Sequence, residues 1–371
     1  MARVLLLTPL WPARGGNGLA MRAGVALEGL ARAHEVTLAV VPVAGTDEGA
    51  RAWASGVASA TVTAATSSDA RSWAATAVGR AMAAAAPLPA AARSVPPAVG
   101  DELLAKVGDR FDAVAVHRSY LAGAAVPFLA AGVHGVLDAD DDDVEGECAA
   151  FTAEVRRHFA TVLLAAPDDV AVARARDATV HHEVWPNAVH VPQKVTARAP
   201  DGDAPRLLFV GNRTYAPNVD AIDRLTRRIV PTVRDAGIDA TLRVSNLDDD
   251  VATLYRTHDL ACAPLRHAKG TSIKVLEAFA HGCPVVATPS AARGLAVTNG
   301  VELSITGDDE DDDGFAAAIV ALWRDPDRRD AQAGAARAFV AHAHDAVPVG
   351  DALARIVDRV AAARPSHHDD R

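Results

Sequence analysis

Short apolar runs alternate with segments of helical period along almost the whole chain of 371 residues. The runs at 3–8, 34–41, 111–116, 135–137 and 161–165 read as buried strands. Residues 19–33, 67–86, 101–107, 144–159 and a segment opening at Pro167-Asp168-Asp169 read as helices. The Pro-rich stretch up to Pro97 reads as a surface connection. Residues 191–205 are polar, Pro-rich and without period, the pattern of a linker. The alternation then restarts, with strands at 206–210, 242–245, 260–263, 283–288 and 302–305. Helices are expected up to 236, then over 248–255, 273–281, 315–324, 328–343 and 350–363. Strand–helix alternation of this kind predicts an α/β protein with parallel sheets. It divides the chain into a first domain at 1–190, the linker, a second domain at 206–345, a final helical segment at 346–364 and a tail at 365–371.

The stretch 259–289 carries the most specific chemistry. A strand ending at Pro264 is followed by Arg266, Lys269, Gly270, Thr271 and Ser272, and then a helix begins. The first amides of a helix have no partner inside it, and the helix dipole adds positive character there. Cations, a glycine and two hydroxyls at such a point make a cradle for phosphate. On the helix, Ile273, Leu276 and Ala280 share an apolar face, while Lys274 and Glu277 lie three apart on another. As an exposed helical pair these two contribute roughly 0.2–0.5 kcal/mol; as ligand groups they complete the cradle.

Three other places draw polar residues to strand ends. Gly15-Gly16-Asn17-Gly18 joins the first strand to the first helix without forming the dinucleotide fingerprint G-x-G-x-x-G. It reads either as a tight turn or as a loop that approaches a ligand. His117 and Arg118 follow the strand at 111–116, where open α/β sheets place their chemistry; a strand-end His is equally a cap or a satisfied buried group. The carboxylates at 138 and 140–143 fit no EF-hand or Asp-x-Asp pattern, and ahead of an expected helix they read as acidic capping rather than a metal site. The acidic run 308–313 reads as a solvated helix start.

The segment KGTSIKVLEAFAHGCPVVATPSAARGL, together with LLFVGNRTYAPNVDAIDRL, FDAVAVHRSYLA and the Pro186-Asn187 turn, resembles the retaining enzymes of glycosyltransferase family 4. These are nucleotide-sugar glycosyltransferases of the GT-B fold, with two Rossmann-like domains facing across a cleft. The resemblance implies a nucleotide-sugar donor held by Gly16, Gly211, Asn212, Arg213, Leu247, Lys269, Gly270, Thr271 and Ser272. It gives Lys274 to the β-phosphate, Glu277 to the ribose hydroxyls and His117 to the neighbourhood of the anomeric carbon. Gly15, Asn17 and Arg118 fall on the acceptor side. It further implies metal-independent transfer of a UDP- or GDP-sugar with retention, no cofactor beyond the donor, and a final helix packing back on the first domain. Two departures stand out: Lys269 occupies a position where many members carry Glu, and Ser272 one where a common variant carries Arg.

Composition narrows the remaining classes. Aromatic residues make up only 4% of a chain that is 50% apolar, so the core is aliphatic. A net charge of −10 argues against a nucleic-acid partner or broad adhesion to an anionic membrane. No run reaches the 18 or so apolar residues of a transmembrane helix. Cys148, Cys262 and Cys283 form no metal-ligand spacing and suit a reducing cytoplasm. The expected acceptor is therefore a small soluble molecule. Other readings are a silent nucleotide-sugar-binding protein, an epimerase or hydrolase on the same frame and, less well supported, an NAD-dependent oxidoreductase.

Overall fold

The computed structural model describes residues 1–45, 47–85, 87–140, 148–195, 204–246, 249–267 and 270–363. Leu247, Lys269, Asp141, Asp142, Asp143, linker residues 196–203 and the tail lie outside them. The chain forms two compact units. One comprises Met1–Arg14, Leu19–Pro186 and the residues from Val347 onward; the other comprises Gly15–Gly18 and Asn187–Ala346.

The first unit holds β1 (Arg3–Thr8), β2 (Glu35–Val40), β3 (Ala60–Thr63), β4 (Ala113–His117), β5 (His134–Asp140), β6 (Thr161–Leu164) and β7 (His182–Val184). They pair in parallel in the order β3-β2-β1-β4-β5-β6-β7. Leu5, Leu7, Val114, Val116 and Leu137 are inaccessible or nearly so. Each such side chain contributes roughly 1.5–3 kcal/mol on burial, and this explains why the runs carry so little polar alternation. The C-terminal residues belong to this unit through close backbone contacts. A Cβ on Gly29 would come within 2.3 Å of the Gly350 carbonyl oxygen, and the Trp185 indole donates to the carbonyl of Val349 at 2.9 Å.

Several expectations for this unit change. Residues 67–86 form a 3-10 turn, Ala70–Ala74, and a separate helix, Ala77–Ala84, each opened by its own side-chain cap from Asp69 or Thr76. The helix Glu48–Val57 and strand β3 are additional elements. The Pro-rich connection is not superficial: Val95, Pro96 and Pro97 are buried, and Pro97 opens the helix Pro97–Val107. Proline is tolerated in a first helical turn because that turn's amide has no partner to lose.

The second unit holds β8 (Arg206–Phe209), β9 (Thr241–Val244), β10 (Leu260–Ala263), β11 (Val285–Ala287) and β12 (Ser304–Ile305), in the order β12-β11-β10-β8-β9. The long helix after β8 contains a wide π turn, Leu225–Ile229. Pro231 follows directly; it has no N–H to continue the normal ladder, and the wide turn absorbs the mismatch. The acidic run is not simply solvated. Asp312 pairs with the buried Arg224 at 2.6 Å, and Glu310 with Arg266 at 2.6 Å; Arg266 also pairs with Asp220. Arg266 is thus committed to carboxylates.

Candidate active site

In the second unit the helix Ile273–Ala280 begins after Gly270, whose φ of 61° is the left-handed turn that glycine adopts without cost. Thr271 is buried and accepts a hydrogen bond from the Asn187 side-chain amide at 2.8 Å. Asn187 in turn is held through its carbonyl by His344 Nδ1 at 2.7 Å. Ser272 occupies the N-cap position without a side-chain cap bond. The loop is therefore fixed from its side, while the first-turn amides keep their intrinsic lack of an intrahelical partner.

Lys274 and Glu277 are not a solvated surface pair. The Lys274 ammonium donates to Asn218 Oδ1 at 2.6 Å and lies 4.4 Å from the centre of the Phe209 ring. Burial pushes its pKa down to about 7, with Glu277 opposing; burial pushes Glu277 up to about 7, with Lys274 opposing. Tyr255 braces the helix from below, donating to the Lys274 carbonyl at 2.9 Å and stacking on His281. An ammonium pushed towards neutrality in the first turn of a helix is favoured in its charged form by an anion placed beside it.

The turn after β8 gathers next to this helix start. A Cβ on Gly211 would meet the Asn218 side chain at 2.7 Å, so glycine is required for that approach. The Gly211 amide donates to Ser245 Oγ at 3.1 Å. Asn212 Oδ1 accepts from the amide and hydroxyl of Thr214, closing a local turn. The Arg213 guanidinium donates to the carbonyls of Ser245 and Val244, at 2.9 and 2.6 Å, and so ties this turn to the end of β9. Leu247 and Lys269 lie outside the described residues. Gly15, Gly16 and Asn17 are exposed in a loop where Gly16 has φ 90°.

The first unit carries a second polar cluster, at the carboxyl ends of β4 and β5. His117 is only 1% exposed; its Nδ1 lies 2.6 Å from Asp138 Oδ2 and its Nε2 3.3 Å from the Leu19 carbonyl oxygen. Arg22 is 2% exposed, donates to both oxygens of Asp138 at 2.7–3.0 Å and to the Trp185 carbonyl at 2.9 Å, and stacks over the Trp185 ring at 4.3 Å. Burial pushes the Asp138 carboxyl up, but Arg22 and His117 outweigh it and hold the group well below the usual carboxylate range. Arg118 and Asp140 pair at 2.8 Å. Among the described residues, the buried hydroxyls of Thr8, at the end of β1, and Ser119, in the turn after β4, have no hydrogen-bond partner.

Asp138 and Asp140 therefore belong to strand β5 and its ion pairs, not to a helix cap. Sequence reasoning missed them because β5 runs three residues past its apolar part, and the paired cations are remote in sequence. Arg22, Trp185, Asn187, Asn218, Ser245 and Tyr255 were missed as well. The only local signal was that Asn187 and Asn218 each follow a proline. Among the described residues no group of three or more His, Cys, Asp or Glu is placed to hold a metal. No helix among them is long and apolar enough to cross a membrane.

No curated protein sequence matches the chain. Among solved structures, HepE from Anabaena in complex with UDP and glucose is similar with a TM-score of 0.68 and 12% identity, over 97% of this chain and 100% of that one. Sucrose-phosphate synthase from Thermosynechococcus elongatus is similar with a TM-score of 0.67 and 13% identity, over 98% and 100%. WaaG, a glycosyltransferase involved in lipopolysaccharide biosynthesis, gives 0.63 and 15%, over 95% and 99%. Residues 242–325, from β9 through the helix Asp312–Arg324, match the family model described as Glycosyl transferases group 1, and the chain has the fold of GT-B glycosyltransferase structures.

Proposed function

We propose that this protein is a glycosyltransferase that takes a sugar from a nucleoside diphosphate sugar, UDP- or GDP-linked, and passes it to a small soluble acceptor with retention of anomeric configuration. The observation that carries this reading is the half-buried Lys274–Glu277 pair at the start of a helix entered through Gly270, Thr271 and Ser272. That arrangement lies inside the segment matching Glycosyl transferases group 1. Breaking a glycosidic bond to a diphosphate builds negative charge on the leaving oxygen. Preorganised amides and an ammonium stabilise that charge without having to reorganise. Lys274 serves the β-phosphate, Glu277 the ribose hydroxyls and the loop amides the remaining phosphate oxygens. UDP complexes of HepE support the nucleotide class.

Arg118 and the strand-end cluster of the first unit serve the acceptor in this reading. His117 orients that cluster, since its ring is enclosed between Asp138 and Leu19. Transfer proceeds without a metal, the departing diphosphate receiving the acceptor proton.

The test is a thermal-shift screen with UDP, GDP, ADP and dTDP, followed by donor turnover across an acceptor panel. A ligand that binds only the folded state raises the melting temperature. A selective shift that disappears in Glu277→Ala, with glycosylated product formed, is expected. No shift with any nucleotide, or an undiminished one in Glu277→Ala, overturns the assignment. Free nucleotide without glycosylated product makes the protein a hydrolase.

A further inference from the structure

Within the second unit, the segment that opens with Asn187 meets both ends of the helix Ile273–Ala280. At the first end Asn187 Nδ2 donates to Thr271 Oγ1 at 2.8 Å. At the other, Arg337 donates to the Ala280 carbonyl at 2.6 Å and also to the Pro192 carbonyl. Asn187 is itself held firmly. It is 3% exposed, and its carbonyl accepts from His344 Nδ1 at 2.7 Å. A carbonyl only accepts, so the His344 proton facing it sits on Nδ1; burial lowers the pKa of this ring, with the Asn187 carbonyl opposing. Two residues on, Val189 donates to the His344 carbonyl at 2.9 Å and accepts from the Ala346 amide at 3.0 Å.

We propose that Asn187 is a positioning residue of the nucleotide site: by donating to Thr271 Oγ1, it turns the Thr271 hydroxyl proton towards the diphosphate. The inference rests on the transferase reading and adds to it a residue that acts through another. An amide nitrogen donates and does not accept, so the bond between the two side chains has one direction. Thr271 uses its oxygen as the acceptor, and its own proton has to point elsewhere. Among the described residues no acceptor meets that proton, although Thr271 is only 6% exposed. A buried hydroxyl proton without an acceptor costs free energy, and a phosphate oxygen at the helix start supplies one. Thr271 stands two residues ahead of Ile273, so its hydroxyl and the first-turn amides serve the same end of the helix.

An orienting role and a mere tether differ in what they act on. Loosening a tether shifts the whole loop and weakens every ligand of the site. Misdirecting one hydroxyl proton weakens the phosphate contact and leaves the nucleoside part alone.

The experiment is calorimetric titration of the full chain with UDP and GDP, with uridine and guanosine as nucleoside controls read by ligand-observed magnetic resonance. Thr271→Val and Asn187→Leu should each weaken the nucleotide that the parent binds about tenfold and leave its nucleoside unchanged. Thr271→Ser, which keeps the hydroxyl, should bind like the parent. The double variant Asn187→Leu, Thr271→Val should bind no more weakly than Thr271→Val alone, because Asn187 acts through that hydroxyl. Full affinity in Thr271→Val, additive losses in the double variant, or an equal loss for the nucleoside each overturns the inference. Should Asn187→Leu fail to fold by circular dichroism, Asn187→Ala replaces it in the same cycle. Absence of nucleotide binding by the parent overturns the transferase reading and this inference together. Binding by the parent with any of the three adverse results overturns this inference alone.

Discussion

Arg118 and Asp140 hold each other at 2.8 Å across the ends of adjacent strands, and they are the non-glycine residues with positive φ among the described residues, at 85° and 57°. Strained backbone of this kind costs on the order of 1–3 kcal/mol per residue and persists only where the surroundings impose it. Here the imposing group is the Arg22–Asp138–His117 network, which fixes β4 against β5 and leaves Arg118, one residue past His117, and Asp140, two past Asp138, to turn sharply.

The strain is separable from the ion pair. Arg118→Ala loses the pair but keeps the unfavourable φ, whereas Arg118→Gly loses the pair and relieves the backbone. Denaturant unfolding should therefore show the Gly variant about 1 kcal/mol more stable than the Ala variant. Equal stabilities mean that the turn relaxes freely. Both variants should retain nucleotide binding and lose transfer if Arg118 serves the acceptor.

Asp138 anchors two cations in a buried site. Asp138→Asn should cost about 3 kcal/mol, because Arg22 then loses its short bonds to a carboxylate and keeps the Trp185 carbonyl at 2.9 Å and a longer contact to Asp140 at 3.5 Å. Its acid dependence has a definite sign. The folded carboxyl lies below its unfolded value of 3.8, so its contribution is fully present above that value and is lost only as the pH falls through the folded value. Unfolding midpoints measured from neutral down to about pH 4 should be independent of this group. A midpoint in Asp138→Asn equal to that of the parent would show that the network is not structural.

Lys274 and Glu277 predict the opposite behaviour. Between about 4.5 and 7 folded Glu277 keeps a proton that the unfolded chain has lost, so rising pH lowers stability. Between about 7 and 10.5 folded Lys274 has lost a proton that the unfolded chain keeps, so rising pH restores it. The pair's contribution is poorest near neutrality. The double variant Lys274→Met, Glu277→Gln should be more stable than the parent there, by about 1–3 kcal/mol, while failing to bind UDP. A less stable double variant would assign the pair to the core.

Asn218 holds the Lys274 ammonium in the absence of a ligand. Replacing it by a carboxylate, Asn218→Asp, should raise the melting temperature through an ion pair and weaken UDP about tenfold, because Lys274 no longer turns to the phosphate. Unchanged affinity by calorimetry would remove Lys274 from the phosphate contact.

Much of the fold was legible in the chain because buried parallel strands leave an unmistakable mark. A run such as Val4–Leu7 or Leu260–Ala263 is apolar on both faces, and the glycines and prolines between runs restrict the backbone locally. The helix start after Gly270–Ser272 was legible for the same reason, since a glycine and hydroxyls act on the backbone over a few residues. The fate of the charged residues was not. Arg22 meets Asp138 across 116 positions, Asn187 meets Thr271 across 84 and Lys274 meets Asn218 across 56. Sequence pattern records which residues avoid water, because burial repeats with the period of its element. Whether a given carboxylate caps a helix, binds a ligand or neutralises a buried arginine depends on which distant strand end arrives beside it, and only tertiary structure decides that.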